Sequence, residues 1–111
     1  HMIGERELKL MGKDHYLINA ARGPIVDEKA LVRALKEGWI KGAGLDVYEH
    51  EPKTEPGLID CWNAVLLPHL GSATVSARAA MAELAAKNLI AAVDGQPPPN
   101  LVNPEALAVK R

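Results

Sequence analysis

A chain of 111 residues with 13 basic and 14 acidic side chains carries a formal charge of -1 and has room for one domain with a modest core. It contains no basic block of the kind that tracks a phosphate backbone, and no apolar run near the roughly 20 residues that cross a bilayer, so nucleic acid and membrane are poor candidate partners. Cys61 is the only cysteine; it excludes an internal disulfide and fits a reducing, cytoplasmic setting.

The first two residues, His1-Met2, read as a cloning scar and are set aside from the fold. Glu5 to Met11 has helical composition and stops at Gly12, and the apolar run Tyr16 to Asn19 suits a buried strand. Asp27 is placed to cap a helix over Glu28 to Glu37, in which Ala30, Leu31, Ala34 and Leu35 recur at helical spacing before Gly38. Gly42 to Val47 reads as a second buried strand whose glycines allow close packing against a helix. Tyr48 to Asp60 has no apolar period and reads as a loop, leading to a third strand, Ala64 to Leu67, ended by Pro68.

The longest helix is expected from Thr74 to Asp94, with Met81, Leu84, Ala85, Asn88, Leu89 and Ala92 along one stripe and Gly95 closing it. Gln96 to Asn100 is a stiff polyproline linker, and a short tail follows. Strands alternating with helices imply a parallel sheet. The expected fold is α/β: half of a doubly wound, Rossmann-like parallel sheet with flanking helices over residues 3–95, with 96–111 as linker and tail.

In an open parallel sheet every strand delivers its chain to the same edge, where ligands bind. Arg22 lies just after the first strand, Asp46 and Glu51 at and beyond the end of the second, and His69 after the third. They therefore converge on one edge. An arginine forks onto a planar carboxylate, and a histidine moves a proton near neutrality, oriented by a carboxylate. Gly23-Pro24 is a tight turn suited to holding Arg22 in one pose, and Gly71-Ser72 after His69 lets backbone approach a ligand. Asp46 reads equally well as the polar end of a buried strand or as an acceptor for a carboxamide NH2. Glu49, His50 and Glu51 sit together, and Glu55-Pro56 repeats the Glu51-Pro52 pair, so the chemistry alone leaves the carboxylate open. The histidines show no pairing at zinc-site spacing, so no metal is expected, and Cys61, flanked by Asp60 and Trp62, lacks the positive charge that makes a thiol reactive.

The three segments NAARGPIVD (19–27), GLDVYEHEP (44–52) and LPHLGSAT (67–74), in this order, resemble the C-terminal part of the NAD-dependent D-2-hydroxyacid dehydrogenases. That group contains glyoxylate/hydroxypyruvate reductase, D-glycerate dehydrogenase and D-3-phosphoglycerate dehydrogenase. The resemblance runs from Ile3 to Leu107 and selects Glu51, because members align on the Glu-Pro pair. It implies Arg22, Glu51 and His69 as catalytic residues and Ala21, Arg22, Asp46, His69 and Gly71 as cofactor contacts, with NAD or NADP as cofactor and a small 2-keto or 2-hydroxy acid as substrate. The stretch from Gly42 to Pro52 leans toward the glyoxylate and hydroxypyruvate reducers.

No G-x-G-x-x-G pyrophosphate loop occurs in these residues, so the chain is expected to be a fragment of a longer enzyme and inactive alone. The competing expectation is a non-catalytic half-domain that self-associates. An open strand edge and uncovered apolar faces invite homodimerisation, including strand or domain exchange.

Overall fold

The computed structural model describes residues 1–108 and divides into two compact units, His1–Gly71 and Ser72–Arg111. The last three positions of the expected tail, 109–111, lie outside the described residues.

In the first unit, helix α1 spans Glu5–Met11, and Gly12 ends it at a φ of 84°. Strand β1 is Tyr16–Asn19, helix α2 Glu28–Lys36, strand β2 Gly42–Leu45 and strand β3 Ala64–Leu66. The cap expected of Asp27 is present: its Oδ1 accepts the Ala30 amide at 3.0 Å. The strands form one parallel sheet in the order β1-β2-β3. The α/β expectation holds.

Both helices cover the same face. Leu8 of α1 and Ala30, Leu31, Ala34 and Leu35 of α2 share one core with Ala43 and Leu45 of β2 and the packed edges of Leu17 and Leu66. On the opposite face the register aligns Ile18, Gly44 and Val65, and Ile18 and Val65 are exposed. Of the two strands expected to be buried, β2 is buried apart from a half-buried Gly44, while β1 exposes Tyr16 and Ile18. The glycines of β2 also serve a different purpose from the one expected. A Cβ on Gly42 would sit 2.7 Å from the Asn63 carbonyl oxygen, and one on Gly44 would sit 2.9 Å from Cδ1 of Ile18, so they admit neighbouring chain rather than a helix.

β2 ends two residues before the expected Val47, and β3 one before Leu67. Pro68 has no amide to extend the ladder. Between β1 and α2 the Gly23-Pro24 turn tightens into a 3-10 turn over Gly23–Ile25.

In the second unit, helix α3 spans Val75–Val93; Thr74 caps it by accepting the Ala77 amide at 3.2 Å, and Gly95 closes it at a φ of 70°. None of its residues is buried. The polyproline run, expected to be a spacer, is tied back onto this helix: Asn88 donates to Oδ1 of Asn100 at 3.1 Å and accepts the Asn100 amide at 3.0 Å. The tail forms a further 3-10 turn, Pro104–Ala108, that the sequence did not suggest.

Candidate active site

All of the expected site residues lie in the first unit, on the loops that leave the carboxyl ends of the three strands. The loop after β1 is folded around Asn19, a buried residue that sequence reasoning passed over. Its Oδ1 accepts the Ala21 amide and its Nδ2 donates to the Arg22 carbonyl, both at 3.1 Å. The available signal was the asparagine itself, at a strand end before a turn, where its side chain mimics backbone. Arg22 is exposed, and its Nη1 donates to the Ala21 carbonyl at 2.6 Å.

The next residue brings two loops into contact. Gly23 packs against the backbone of Tyr48 and Glu49, where a Cβ would lie 1.8 Å from the Tyr48 carbonyl oxygen. Tyr48, also unforeseen, is buried and donates its phenol to the Leu67 carbonyl at 2.8 Å, linking the second loop to the third. Its amide donates to Oε1 of Glu51 at 3.1 Å.

Oε2 of Glu51 meets Nδ1 of His69 at 2.9 Å. The His69 contact, and after it the Tyr48 amide, hold the Glu51 carboxyl below the usual glutamate range, with the Arg22 charge a smaller influence in the same direction. An ionised Glu51 accepts, so Nδ1 of His69 is the donor. Nε2 has no partner among the described residues. Glu49 and Glu55 do not reach His69: the amides of both go to Glu28, and the Glu49 carboxylate meets His1.

His69 adopts a φ of 56°, the left-handed region that residues other than glycine avoid. The chain just beyond it is pinned by Asp46, whose Oδ1 accepts the Leu70 amide at 2.6 Å and whose Oδ2 accepts the Gly71 amide at 2.8 Å. Asp46 is thus a clamp on the histidine loop, and lone pairs remain on each oxygen for a further donor. Beside it an open hollow of about 380 Å³ is walled mainly by Ile18, Gly44, Leu45, Val65 and Leu67. The geometry brings Arg22, Glu51 and His69 to one edge, with Asp46 and Gly71 behind the histidine. Cys61 is buried, and desolvation pushes its thiol up, as suits an inert side chain.

Comparison with known proteins gives this arrangement a family. The family described as "D-isomer specific 2-hydroxyacid dehydrogenase, NAD binding domain" matches residues 1–71. A glyoxylate reductase of Thermococcus gammatolerans is 59% identical over 111 residues, covering 100% of this chain and 33% of the relative. One from Thermococcus litoralis is 61% identical over 107 residues, covering 96% of this chain and 32% of the relative. The chain thus spans about a third of the length of these relatives.

Among solved structures, the NADPH-dependent glyoxylate/hydroxypyruvate reductase of Sinorhizobium meliloti in complex with NADP and malonate superposes with a TM-score of 0.76 at 47% identity, over 80% of this chain and 28% of that one. The 2-hydroxyacid dehydrogenase of Ketogulonicigenium vulgare Y25 gives 0.80 at 39% identity, over 87% and 30%. These names lend no support to the non-catalytic reading. A parallel half-sheet whose three loops gather an arginine and a Glu-His pair, matched over the whole first unit, marks this chain as a member of the D-isomer specific 2-hydroxyacid dehydrogenase family.

Proposed function

We propose that the chain supplies the catalytic edge of a nicotinamide-dependent reductase acting on a small 2-keto acid, with glyoxylate and hydroxypyruvate the favoured substrates. The observation that carries this reading is the 2.9 Å Glu51–His69 pair, with no partner for Nε2 among the described residues. Glu51 orients the ring and balances its positive charge, so Nε2 is the atom that gives a proton to the keto oxygen in reduction and recovers it in oxidation. Arg22 spends one N–H on Ala21, leaving donors for the substrate carboxylate and for charge developing on the keto oxygen.

The residues fit the nicotinamide end of a cofactor. The hollow has apolar walls for a flat ring, and the buried Asp46 carboxylate at its rim is an acceptor for a carboxamide NH2. NAD or NADP, when bound, supplies the hydride. The names of the relatives, glyoxylate reductase and NADPH-dependent glyoxylate/hydroxypyruvate reductase, support both substrate and cofactor class.

A chimera tests the reading. This chain replaces the corresponding third of the Thermococcus gammatolerans enzyme, and consumption of NADH or NADPH is followed with glyoxylate. Turnover is expected, and a folded chimera without it overturns the proposal. In the active chimera, Arg22→Gln is expected to lower kcat/KM about 10- to 100-fold, raising KM through the lost carboxylate contact and lowering kcat through the lost contact to the keto oxygen. An unchanged kcat/KM removes Arg22 from the site.

A further inference from the structure

A second carboxylate lies beneath the loop that carries Glu51. Glu28, the first residue of α2, is only 4% exposed, and it points away from its own helix's needs, since Asp27 already caps α2. Oε1 of Glu28 accepts the Glu49 amide at 2.8 Å, and Oε2 accepts the Glu55 amide at 3.2 Å. Those two amides bracket Glu51. Between them the chain turns back on itself, with the Lys53 amide donating to the His50 carbonyl at 2.9 Å.

A carboxylate is costly to bury unless its lone pairs are met. Desolvation pushes the Glu28 carboxyl above the usual range, the two amides oppose this, and the nearby Glu49 and Glu55 charges add to it. The arrangement repeats the one at the histidine loop, where Asp46 takes the Leu70 and Gly71 amides. Each half of the Glu-His pair therefore stands on a loop gripped through its backbone by one buried acid.

We propose that Glu28 is a positioning residue for the Glu51–His69 pair: by holding the amides of Glu49 and Glu55 it fixes the loop in the form that carries the Glu51 carboxylate to Nδ1 of His69. Its effect on turnover rests on the function proposed above; its effect on the geometry of Glu51 does not. Glu28 touches no reacting atom. Without it the loop is held at its start by Gly23 and Tyr48, while its far side, out to Glu55, is released.

The test uses the full 111-residue chain, isotope-labelled, with Glu28→Ala and the isosteric Glu28→Gln. In Glu28→Ala the Glu49 and Glu55 amides are expected to lose hydrogen-exchange protection about tenfold or more, while amides in α1 and β2 keep theirs. The Glu51 carboxyl, followed by carbon NMR, is expected to titrate closer to the ordinary value of about 4.3. Glu28→Gln keeps one acceptor oxygen and is expected to release one amide and shift Glu51 less. An unmoved Glu51 titration in Glu28→Ala overturns the inference, as does a loss of protection spread evenly over the chain. In the active chimera, Glu28→Ala is expected to lower kcat with little change in KM, and an unchanged kcat also counts against the role. A chimera inert with Glu28 intact overturns the proposed function instead, and the titration separates the two failures.

Discussion

Replacing His69 by alanine in an active chimera lowers kcat by about 10²–10⁴-fold, the span that a positioned proton donor contributes. Cofactor affinity changes little, because the ring meets Glu51 through Nδ1 and leaves Nε2 for the substrate oxygen. The loop itself does not depend on the imidazole: Leu70 and Gly71 stay bonded to Asp46, and Leu67 stays bonded to Tyr48. A large loss of turnover in a folded variant is thus a loss of chemistry. Steady-state kinetics with reduced cofactor and glyoxylate measure it, and turnover within tenfold of the parent removes His69 as the acid.

The second large effect is expected at a residue with no side chain. Gly23→Ala places a methyl 1.8 Å from the Tyr48 carbonyl oxygen and 2.4 Å from the Glu49 nitrogen, and both are backbone atoms that cannot rotate away. Overpacking of ordinary side chains costs about 1–3 kcal/mol, and a collision with backbone belongs at or above the top of that range. Thermal unfolding of the variant should fall by roughly 12 °C or more for a unit of this size. Gly38→Ala is the control. Its Cβ meets nothing within 4 Å, and its cost comes from a φ of 70°, about 1–2 kcal/mol. If the two variants unfold together, the close approach of the first and second loops is not what stabilises the edge.

How far the sequence could be read follows from how far apart the interacting residues lie. Helix α2 was legible because its cap at Asp27 and its stripe at Ala30, Leu31, Ala34 and Leu35 are local features, and they were found within one residue of their bounds. Glu51 and His69 lie 18 positions apart, and they were placed together by a general rule, that parallel strands empty onto one edge, with the choice among the acidic residues coming from the family's Glu-Pro pair. Glu28 was not legible as anything but a helix start. An acid in the first turn of a helix is ordinary, and what buries this one is a pair of amides 21 and 27 residues downstream. Tyr48 was hidden for the same reason, its acceptor being the carbonyl of Leu67. The Gly23 contact is between two loops, and no spacing rule predicts where two irregular segments touch. β2 is shorter than Asp46 and Val47 suggest because its neighbours stop: the chain after β1 turns around Asn19, and Pro68 beyond β3 has no amide to offer.

The backbone of His69, at a φ of 56°, sets its imidazole against the thermodynamic interest of its own chain. Glycine fits that conformation without cost and asparagine with little. A directed-evolution experiment scored only on resistance to heat should therefore drift toward glycine at position 69, and one scored on turnover should restore the histidine. The two selections would disagree at this position and agree at Gly23, so comparing their outcomes separates residues kept for what they catalyse from residues kept for what they let fold.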